Sequence, residues 1–405
     1  MTLPVHQDRA HQEPAVDRIP RLDPAGALAP VPGRSPGGLP RVVLPSGHLA
    51  VHLTRYEDVR KALSHPALSR AEANTEDGPR FLPTALPPQM LISMDAPDHG
   101  RIRRLVTPDF AATAVAALLP GLRALLEERI TALRAAPRPD LFREVLDRVT
   151  PAVTGGFLGV PEEDLRQLRT ASRVIQLAPE DDPEGLTAEF TRGLGYAAAL
   201  VRGERPLLPG GLLSRLLERR EQAEPALDDD ELTVLFLTLL VTVDQNTLSV
   251  LTKAVYALLC APPLWRAAAG DPASVPRITE ELIRLLPLGG PVGFPRVARA
   301  DVEFEAGTVR AGETVLPDVF RANRDPEVFP RPLVVDPDRP ARRHLQFGHG
   351  LHHCLGAALA RLEINEVVTA LTGALPGATL DADPAALPWD EGALLRRPTA
   401  LPVRF

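Results

Sequence analysis

The sequence contains little cysteine, which limits the kinds of site that it can build. Its 405 residues include 2 cysteines, Cys260 and Cys354, so a disulfide framework is disfavoured and a reducing compartment fits. Structural zinc sites usually contain a CxxC pair, and the sequence has none. Cys260 lies in the apolar helical stretch AVYALLCAPP, where a buried, unreactive side chain is expected. Any cysteine chemistry therefore depends on Cys354.

Long apolar runs and an excess of basic residues are also missing. The longest apolar stretch, LTVLFLTLLV over 232–241, is flanked by DDDE and Asp244, and it is too short to cross a bilayer. Residues 1–40 hold no apolar run that could serve as a signal peptide or membrane anchor. The formal net charge is −7, with acids and bases interspersed, which argues against nucleic acid as a partner. We therefore expect a cytoplasmic, monomeric protein that binds neither membranes nor nucleic acid.

Proline, in contrast, is abundant and divides the chain into short helices and many turns. The sequence holds 44 prolines and 29 glycines, yet apolar periodicity persists between these breaks, so general disorder is not indicated. Residues 1–40 are the exception, because they are rich in proline and charge. This composition predicts an extended N-terminal arm.

Hydrophobic periodicity predicts mostly helices, with strands clustered late in the chain. Alternation gives way to helical spacing over residues 47–70, which predicts a strand followed by a helix. The acidic run DDDE marks the start of a long helix, where the helix dipole favours carboxylates. The fold class is therefore mainly α with a smaller β portion. Helices are predicted over 97–133, 140–155, 228–260, 275–286 and 354–371, and short strands over 296–320.

The segment LQFGHGLHHCLGAALARLE, over 345–363, places Cys354 behind three histidines and ahead of a helix. Three interpretations are open: a zinc site, a nucleophilic thiol with a histidine base, and an axial thiolate ligand to heme iron. The histidines lie too close together in the chain to surround one ion easily with the cysteine. The heme interpretation needs a tight loop, which Gly348 and Gly350 allow. It also needs N–H groups of a helix start, which hold the sulfur as thiolate.

These residues resemble a known family. The stretch FGHGLHHCLG over 347–356 matches the heme-binding signature FGxGxHxCxG of the cytochrome P450 family. The stretch EELIR resembles the family's ExxR pair through Glu281 and Arg284, which in the family join an arginine of the late meander, here Arg339. The resemblance runs from about Gly47 to the C-terminus. It implies a single heme-thiolate oxygenase domain over 41–405 with a helical-prism fold.

The resemblance also implies a cofactor and the residues that hold it. Heme b (iron protoporphyrin IX) would take Cys354 as its axial thiolate and metal ligand, and dioxygen would be the co-substrate. In the family, two histidines and two arginines bond the heme propionates, and the phenylalanine and first glycine of the signature pack against the ring. The residues at these positions are His99, Arg103, Arg296 and His352, followed by Phe347 and Gly348.

The long helix departs from the family pattern. Relatives normally carry A-G-x-(D/E)-T, whose acid and alcohol deliver the protons that split dioxygen, whereas this chain reads LTLLVTVDQNTLSVL. Counting back about 36 residues from Glu281, the usual separation in the family, places Gln245 at the acid and Asn246 at the alcohol. A register shifted by one residue would instead make Asp244 the acid and Gln245 the alcohol.

Two interpretations of these amides are open, since neither amide ionises. In one, the amides cap a kink in the helix and water relays the proton. In the other, Asn246 grips the substrate or hydrogen-bonds dioxygen, and the substrate completes the relay. We take Asn246 and Gln245 as the candidate catalytic residues.

The resemblance implies an oxygenase of secondary, natural-product metabolism that oxidises a medium-sized, largely apolar small molecule. One alternative is oxidative C–C or C–O coupling of aromatic or cyclic-dipeptide-like substrates without oxygen insertion. A more remote alternative is a non-enzymatic heme sensor. The candidate pocket residues are Arg80, Gln89, Leu91, Val241, Thr242, Val292 and Leu394.

The resemblance further implies that two electrons come from a ferredoxin and its ferredoxin reductase. Several arginines near the cysteine loop predict a docking face for such an acidic donor despite the overall negative charge. These are Arg101, Arg104, Arg342, Arg343 and Arg361.

Overall fold

Helices form most of the architecture, and strands form one larger sheet and three small two-stranded sheets within the described chain. The predicted fold class, mainly α with a smaller β portion, is confirmed. The computed structural model describes residues 15–22, 28, 30–81, 85–161, 163–165, 169, 183–288, 294–340, 343–391 and 395–405.

The helices follow the predicted ranges closely, and the predicted region 97–133 divides into several pieces. They are α1 (Tyr56–Ser64), α2 (Asp98–Val106), α3 (Ala112–Val115), α4 (Leu119–Ala135), α5 (Asp147–Leu158), α6 (Pro183–Val201), α7 (Leu212–Arg219), α8 (Asp229–Cys260), α9 (Pro262–Gly270), α10 (Val275–Leu285), α11 (Val319–Ala322) and α12 (Ala357–Ala374). A π-helix, Phe142–Leu146, leads into α5.

The strands are short and lie mainly at the two ends of the chain. They are β1 (Pro30–Arg34), β2 (Pro40–Val43), β3 (Leu49–Leu53), β4 (Leu68–Ser69), β5 (Arg296–Ala298), β6 (Val302–Phe304), β7 (Gly307–Val309), β8 (Thr314–Pro317), β9 (Thr379–Leu380), β10 (Trp389–Glu391), β11 (Arg396–Pro398) and β12 (Val403–Arg404).

Helix α8 is the core of the protein. A capping box opens it: the Asp228 carboxylate accepts the Glu231 N–H at 2.8 Å, and the Glu231 carboxylate accepts the Asp228 N–H at 3.3 Å. These bonds satisfy N–H groups that a helix start otherwise leaves unpaired. In the described chain this helix is long and apolar enough to cross a membrane, but 83% of its apolar window is buried inside the protein. It is therefore a core helix, as its sequence predicts.

The larger sheet packs at the edge of the helical body. Its strand order is β1–β2–β3–β8–β5–β4, with β3 and β8 parallel and the other neighbours antiparallel. Val51 of β3 pairs with Val315 of β8, and both are buried. They belong to a hydrophobic cluster that also includes Val59 of α1 and is separate from the α8 core.

Described parts of the N-terminal 40 residues pack on this body. Val16, Ile19 and Leu22 are buried in the α8 core, and β1 pairs with β2 in the larger sheet. The predicted domain boundary at residue 40 falls on the first residue of β2 and would separate these paired strands. The division of the chain at that residue stays a prediction, and residues 1–14 and 23–27 lie outside the described residues.

The last long helix begins later than the sequence predicts. Helix α12 starts at Ala357 instead of near Cys354, and it includes Gly373, which was expected beyond its end. Cys354 stays in the loop because its N–H donates to the Phe347 carbonyl at 2.6 Å, a bond that closes the loop rather than opening the helix. The final turn stays helical because its backbone hydrogen bonds continue past the glycine.

A buried ion cluster joins α10 to the chain before the cysteine loop. Glu281 accepts hydrogen bonds from Arg284 at 2.7 and 2.8 Å and from Arg339 at 3.0 Å. Arg284 is 1% exposed and also donates to the carbonyls of Asn323 and Pro332, each at 2.9 Å. Burial acts to raise the pKa of Glu281, but the bonds from both arginines lower it overall. The carboxylate therefore stays ionised and fixes the meander on α10.

We expect Glu281→Ala to destabilise the protein by about 3–5 kcal/mol, because the substitution leaves buried arginines without a counter-charge. Urea unfolding and heme content of the purified variant would measure the loss. Glu57→Ala is a matched control, since Glu57 and Arg60 form an exposed ion pair with the same spacing on α1. A heme-replete Glu281→Ala with wild-type stability would contradict the prediction.

Candidate active site

Cys354 is an exposed residue of the cysteine loop, although its sulfur is surrounded by protein atoms. This enclosure raises the pKa of the Cys354 thiol, while a hydrogen bond from the Gly356 N–H and the charges of Arg103 and Arg361 act to lower it. The same N–H and positive charges would stabilise a thiolate once a metal ion takes the sulfur.

Two glycines give the loop its shape. Gly348 and Gly350 have φ values of 72° and 69°, in the left-handed region that side chains disfavour. A Cβ at position 350 would lie 2.7 Å from the Cβ of Ser64 in α1. A larger residue there would push the loop away from α1, so the contact between them requires glycine at position 350.

Helix α10 supports the same loop through a second carboxylate, next to Glu281. Glu280 accepts hydrogen bonds from Arg361 at 2.7 and 2.8 Å and lies 3.0 Å from His344 Nε2. Partial burial acts to raise the pKa of Glu280, but these partners lower it to about 2. Arg361 in turn lies over the ring of Phe347, 4.3 Å from its centroid. Two consecutive acids thus tie α10 to the loop and to the meander.

Beside the loop, buried nitrogen atoms converge without partners. His99 Nδ1, Arg296 Nε and His352 Nε2 are buried and make no hydrogen bond. The rings of His99 and His352 lie 4.7 Å apart in a T-shaped arrangement. Because buried polar atoms are nearly always paired, this cluster indicates a ligand with acceptor oxygens. We call these three residues the donor cluster.

The electrostatics of the donor cluster favour an anion. Burial lowers the pKa of His352 to about 3, with Arg296 and His99 adding to the effect, and burial lowers the pKa of His99 to about 4. Burial also lowers the pKa of Arg296 to about 10. Arg70, which the sequence analysis did not identify, is 4% exposed and donates to two backbone carbonyls. The two imidazoles are therefore neutral near pH 7, and a carboxylate placed here would lower the cost of burying the two arginine cations, Arg296 and Arg70.

These residues fit heme b. Its two propionates are carboxylates, which suit the donor cluster, and its iron suits Cys354. Arg103, the fourth predicted propionate partner, instead donates to the carbonyls of Leu351 at 3.1 Å and of His353, both in the cysteine loop. In the described part of the chain no group of three or more His, Cys, Asp or Glu side chains could hold a metal ion. The zinc interpretation therefore has no ligand set there.

One face of α8 is open in the middle of the helix, between two stretches that are mostly buried, 232–241 and 248–259. Thr242 is exposed and Val243, Asn246 and Thr247 are partly buried, whereas Val241 is buried. Residues 242–243 and 246–247 lie about one helical turn apart and so share a face. We call this surface the open face. Asn246 lies on it.

Gln245 lies on the buried side of the same helix and is 2% exposed. Its Nε2 donates to Asp244 at 2.6 Å, and its Oε1 accepts from Arg397 at 2.8 Å. Asp244 also accepts from Arg169 at 2.7 Å, and Arg169 donates to Asp147 at 2.9 Å. Both ends of the Gln245 amide are therefore used inside the protein, and the structure does not bring it to the open face.

The positions of the remaining candidate pocket residues say less about the pocket. Leu91 is partly buried against the core, and Gln89 is exposed. Arg80 donates to two carbonyls of its own loop, at 2.6 and 3.0 Å. Val292 and Leu394 lie outside the described residues.

Sequence analysis also missed other buried titratable side chains, and three of them are central to the interior. Lys253, Glu363 and Arg397 are 2%, 2% and 3% exposed. Lys253 and Glu363 lie on helices at positions where periodicity predicts an apolar side chain. A lone charged residue on an otherwise apolar helix face was therefore a sign in the sequence that these side chains are buried. Arg397 follows no pattern that predicts burial, because its strand is three residues long.

Comparison with known proteins supports the same class. The cytochrome P450 family model matches residues 275–372. Mycinamicin IV hydroxylase/epoxidase of Micromonospora griseorubida is 37% identical over 364 residues, which are 90% of this chain and 91% of that enzyme. Nocardicin C N-oxygenase of Nocardia uniformis subsp. tsuyamanensis is 36% identical over 367 residues, 90% of this chain and 92% of that enzyme. The crystal structure of cytochrome P450mel 107F1, with biaryl coupling reactivity, superposes with a TM-score of 0.83 at 32% identity, covering 88% of this chain and 91% of that one.

The fold, the cysteine loop and the donor cluster together define a heme-thiolate oxidoreductase. The chain belongs to the cytochrome P450 family. It is an enzyme that carries heme b on a cysteine thiolate, uses dioxygen and oxidises a small molecule with electrons from an external partner. The predicted role in natural-product metabolism is confirmed by its relatives.

The buried side chain of Glu363 on α12 makes the stability of the protein depend on pH. It is 2% exposed, and its Oε1 has no hydrogen-bond partner. Burial, with a contribution from Asp244, raises the pKa of Glu363 from the ordinary 4.5 to about 8. Between these two values the folded protein holds a proton that the unfolded chain has lost. Stability therefore falls as pH rises through this window.

We expect Glu363→Gln to remove this pH dependence. Inside the window, the free energy of unfolding of the variant should rise relative to that of the wild type by up to about 1.4 kcal/mol per pH unit. Urea unfolding at several pH values between 5 and 8 would measure the two slopes. The control is Glu366→Gln, on the same helix as Glu363, which removes the ion-pair partner of Arg123. Its slope should match that of the wild type. Parallel profiles for wild type and Glu363→Gln would refute the assignment.

Proposed function

We propose that Cys354 is the thiolate ligand of the heme iron and that the protein is a tailoring oxygenase. Its reaction would insert oxygen into a C–H bond or aromatic ring of a medium-sized, largely apolar natural product. The observation that carries the proposal is the convergence of the unpartnered donors of His99, Arg296 and His352 beside the cysteine loop.

When bound, heme b supplies the iron centre that activates dioxygen with two electrons. The chain's residues hold this centre in place. The donor cluster would bind the propionates, since buried, charge-assisted hydrogen bonds to carboxylates are strong. The Gly356 N–H, which donates to the Cys354 sulfur, tempers the electron donation of a thiolate. Arg103 holds the loop itself through two carbonyls.

Proton delivery on α8 would not use the family's acid and alcohol pair. Gln245 is committed to Asp244 and Arg397, so it acts as a positioning residue. Asn246 cannot ionise, so its carboxamide would orient the substrate or donate a hydrogen bond, while the proton arrives through water or from a substrate group.

The open face of α8 suggests the chemical class of the substrate. Its members combine a valine and the methyl groups of two threonines with one carboxamide, so an apolar ligand with an amide or carbonyl handle fits. Relatives are named for mycinamicin IV and nocardicin C. For this chain we propose only the general class, a natural product, and neither of these two molecules.

Oxidative coupling without oxygen insertion is a second candidate. The Asn246 carboxamide on the open face would favour it by holding the substrate in place until two radicals couple. Dioxygen is reduced to water in this reaction too, so coupling and oxygen insertion both need protons. A structural neighbour has biaryl coupling reactivity. A non-enzymatic sensor has no such support.

Electrons would come from a ferredoxin and its ferredoxin reductase, and the protein would act as a cytoplasmic monomer. Among the arginines predicted to face the donor, Arg104 and Arg343 are exposed and available to an acidic partner. Arg101 and Arg361 use their guanidinium groups on Glu231 and Glu280, and Arg342 lies outside the described residues.

Substitution of the two cysteines tests the ligand assignment. Cys354→Ala should lose the red-shifted Soret band of the reduced, carbon-monoxide-bound protein, because that band reports thiolate ligation. Cys260→Ala should keep it, since Cys260 lies at the end of α8. A normal band in Cys354→Ala would refute the proposal. Turnover under oxygen-18 then separates the two functions: labelled product supports oxygen insertion, and unlabelled coupled product supports coupling.

Substitution of Asn246 tests its role on the open face. We expect Asn246→Ala to weaken substrate binding by roughly 1–3 kcal/mol, the cost of leaving a buried polar partner unsatisfied. The spectral shift on titration with a substrate found by screening would measure the loss, and product selectivity should degrade in parallel. The double variant Gln245→Glu with Asn246→Thr, which restores the family pair, should also bind more weakly. Unchanged affinity and product in Asn246→Ala would contradict this role.

A further inference from the structure

Asp95 lies where the segments that carry two members of the donor cluster meet. It precedes α2, and its backbone carbonyl accepts the His99 N–H at 3.0 Å. Its carboxylate accepts hydrogen bonds from the Arg70 N–H at 3.0 Å and from Ser69 Oγ, in β4, at 2.5 Å. Strand β4 pairs with β5, and Arg296 is the first residue of β5. The carboxylate is therefore tied to the segments on both sides of the donor cluster.

Arg70 brings a second buried cation to this junction. It is 4% exposed, and it donates to the Ile92 carbonyl at 2.9 Å and to the Pro295 carbonyl at 2.8 Å. Pro295 directly precedes Arg296, which is 5% exposed and whose Nε has no hydrogen-bond partner. The two guanidinium groups lie close enough to repel each other. Burying two like charges together is costly unless negative charge is close to them.

Asp95 supplies such a negative charge. Burial acts to raise the pKa of Asp95, but hydrogen bonds from Ser69 and the Arg70 N–H, together with the charge of Arg299, lower it overall. The carboxylate is therefore ionised near pH 7. Arg299 donates to it at 3.0 Å, and the side chains of Asp95 and Arg299 are 17% and 42% exposed. The acid is thus partly neutralised by an arginine that lies nearer the surface.

The Asp95 carboxylate acts on the donor cluster without occupying it. Burial lowers the pKa of each of four neighbouring side chains, and the charge of Asp95 opposes this lowering in all of them: Arg70, His99, Arg296 and His352. Its hydrogen bonds nevertheless go to other groups, and the three buried nitrogen atoms of the donor cluster keep no partner. Asp95 therefore places a fixed negative charge beside a site that suits carboxylates, while the donors stay available to a ligand.

We propose that Asp95 holds down the reduction potential of the heme iron, because its fixed negative charge lies beside the residues that bind the heme propionates. One-electron reduction of the iron adds a negative charge to the cofactor, and a nearby carboxylate opposes that addition. Arg299 acts in the opposite direction, since it partly neutralises the carboxylate. The same charge repels the propionates and so weakens cofactor binding. The inference rests on the proposed function, which places the propionates at the donor cluster.

A redox titration of the purified heme protein tests the effect on the potential. Asp95→Asn removes the charge and keeps an oxygen that accepts N–H groups. At a fixed applied potential the ratio of ferrous to ferric protein should rise about threefold, which is about 30 mV for a one-electron couple. Arg299→Gln should lower the ratio, by a smaller factor because solvent and salt screen an exposed charge. Damage to the fold alone would not give the two variants shifts of opposite sign.

Two control variants separate the charge of Asp95 from its structural contacts. Ser69→Ala removes a hydrogen bond to Asp95 but changes no charge, so the ratio should stay close to that of the wild type. Asp301→Asn neutralises an acid two residues beyond Arg299, in an ion pair with Arg310 at 2.6 Å whose side chains are about half exposed, and it should also leave the ratio unchanged. A shift in Ser69→Ala as large as that in Asp95→Asn would overturn the role of the charge.

Heme retention gives a second readout, which needs neither reduction nor turnover. Heme transfer from the purified protein to apomyoglobin should be about threefold slower for Asp95→Asn, because the carboxylate no longer repels the propionates. Transfer should be faster for Arg299→Gln, which leaves that carboxylate less neutralised. A purely structural role for Asp95 predicts the reverse for Asp95→Asn, since a loosened site releases heme more quickly.

The outcomes separate this inference from the proposed function. A wild-type protein without the thiolate band would overturn the proposed function, whatever the potentials of the variants. A normal band with an unshifted ratio in Asp95→Asn would overturn the inference alone, as would shifts of the same sign in Asp95→Asn and Arg299→Gln. Arg299→Glu guards against an Asp95→Asn protein that fails to fold, because the change is at an exposed position. It should lower the ratio further than Arg299→Gln does, and an unchanged ratio would likewise overturn the inference.

Discussion

The ion cluster around the buried carboxylate of Glu281 on α10 is the constraint on which the rest of the site depends. Glu281 accepts hydrogen bonds from Arg284 and Arg339. Arg284 in turn donates to the Asn323 carbonyl and so links α10 to that residue. The Asn323 side chain accepts the Leu345 N–H at 2.6 Å, two residues before the glycine-rich turn. An isolated buried ion pair adds little net stability, but this cluster has its charges and hydrogen bonds satisfied together. Its effect is therefore geometric: it fixes where the cysteine loop leaves the meander.

The donor cluster, unlike the ion cluster of α10, contains buried polar atoms that no protein group satisfies. His99, Arg296 and His352 keep buried nitrogen atoms without partners, and each such atom costs free energy that a ligand can recover. A carboxylate that binds only the folded chain stabilises it by linkage. Cofactor binding and folding would thus be coupled through these three residues, whereas the ion cluster of α10 has its partners within the chain.

The sequence predicts the fold and the cysteine side of the site well, because both follow from local rules. Helix α8 has a capping box and an apolar composition, and the loop has glycines where a Cβ would meet Ser64. What the sequence could not predict depends on contacts between distant segments. Arg397 reaches Gln245 over 152 positions, and the register of α8 alone could not reveal that Gln245 points inward. The late start of α12 has the same origin, since a bond from Cys354 to Phe347 decides it.

The amide at position 245 follows from its neighbours. Gln245 donates to Asp244 and accepts from Arg397, two partners that require one donor and one acceptor. An ionised glutamate has only acceptors, so it would satisfy Arg397 but would face the carboxylate of Asp244 with a like charge. Asp244, the acid beside Gln245, is paired with Arg169. Because Asp244 and Gln245 are both 2% exposed, neither replaces the lost proton donor at the open face. Under the role that we propose for Asn246, the proton would come from water or from the substrate, whose own chemistry would then take part in catalysis.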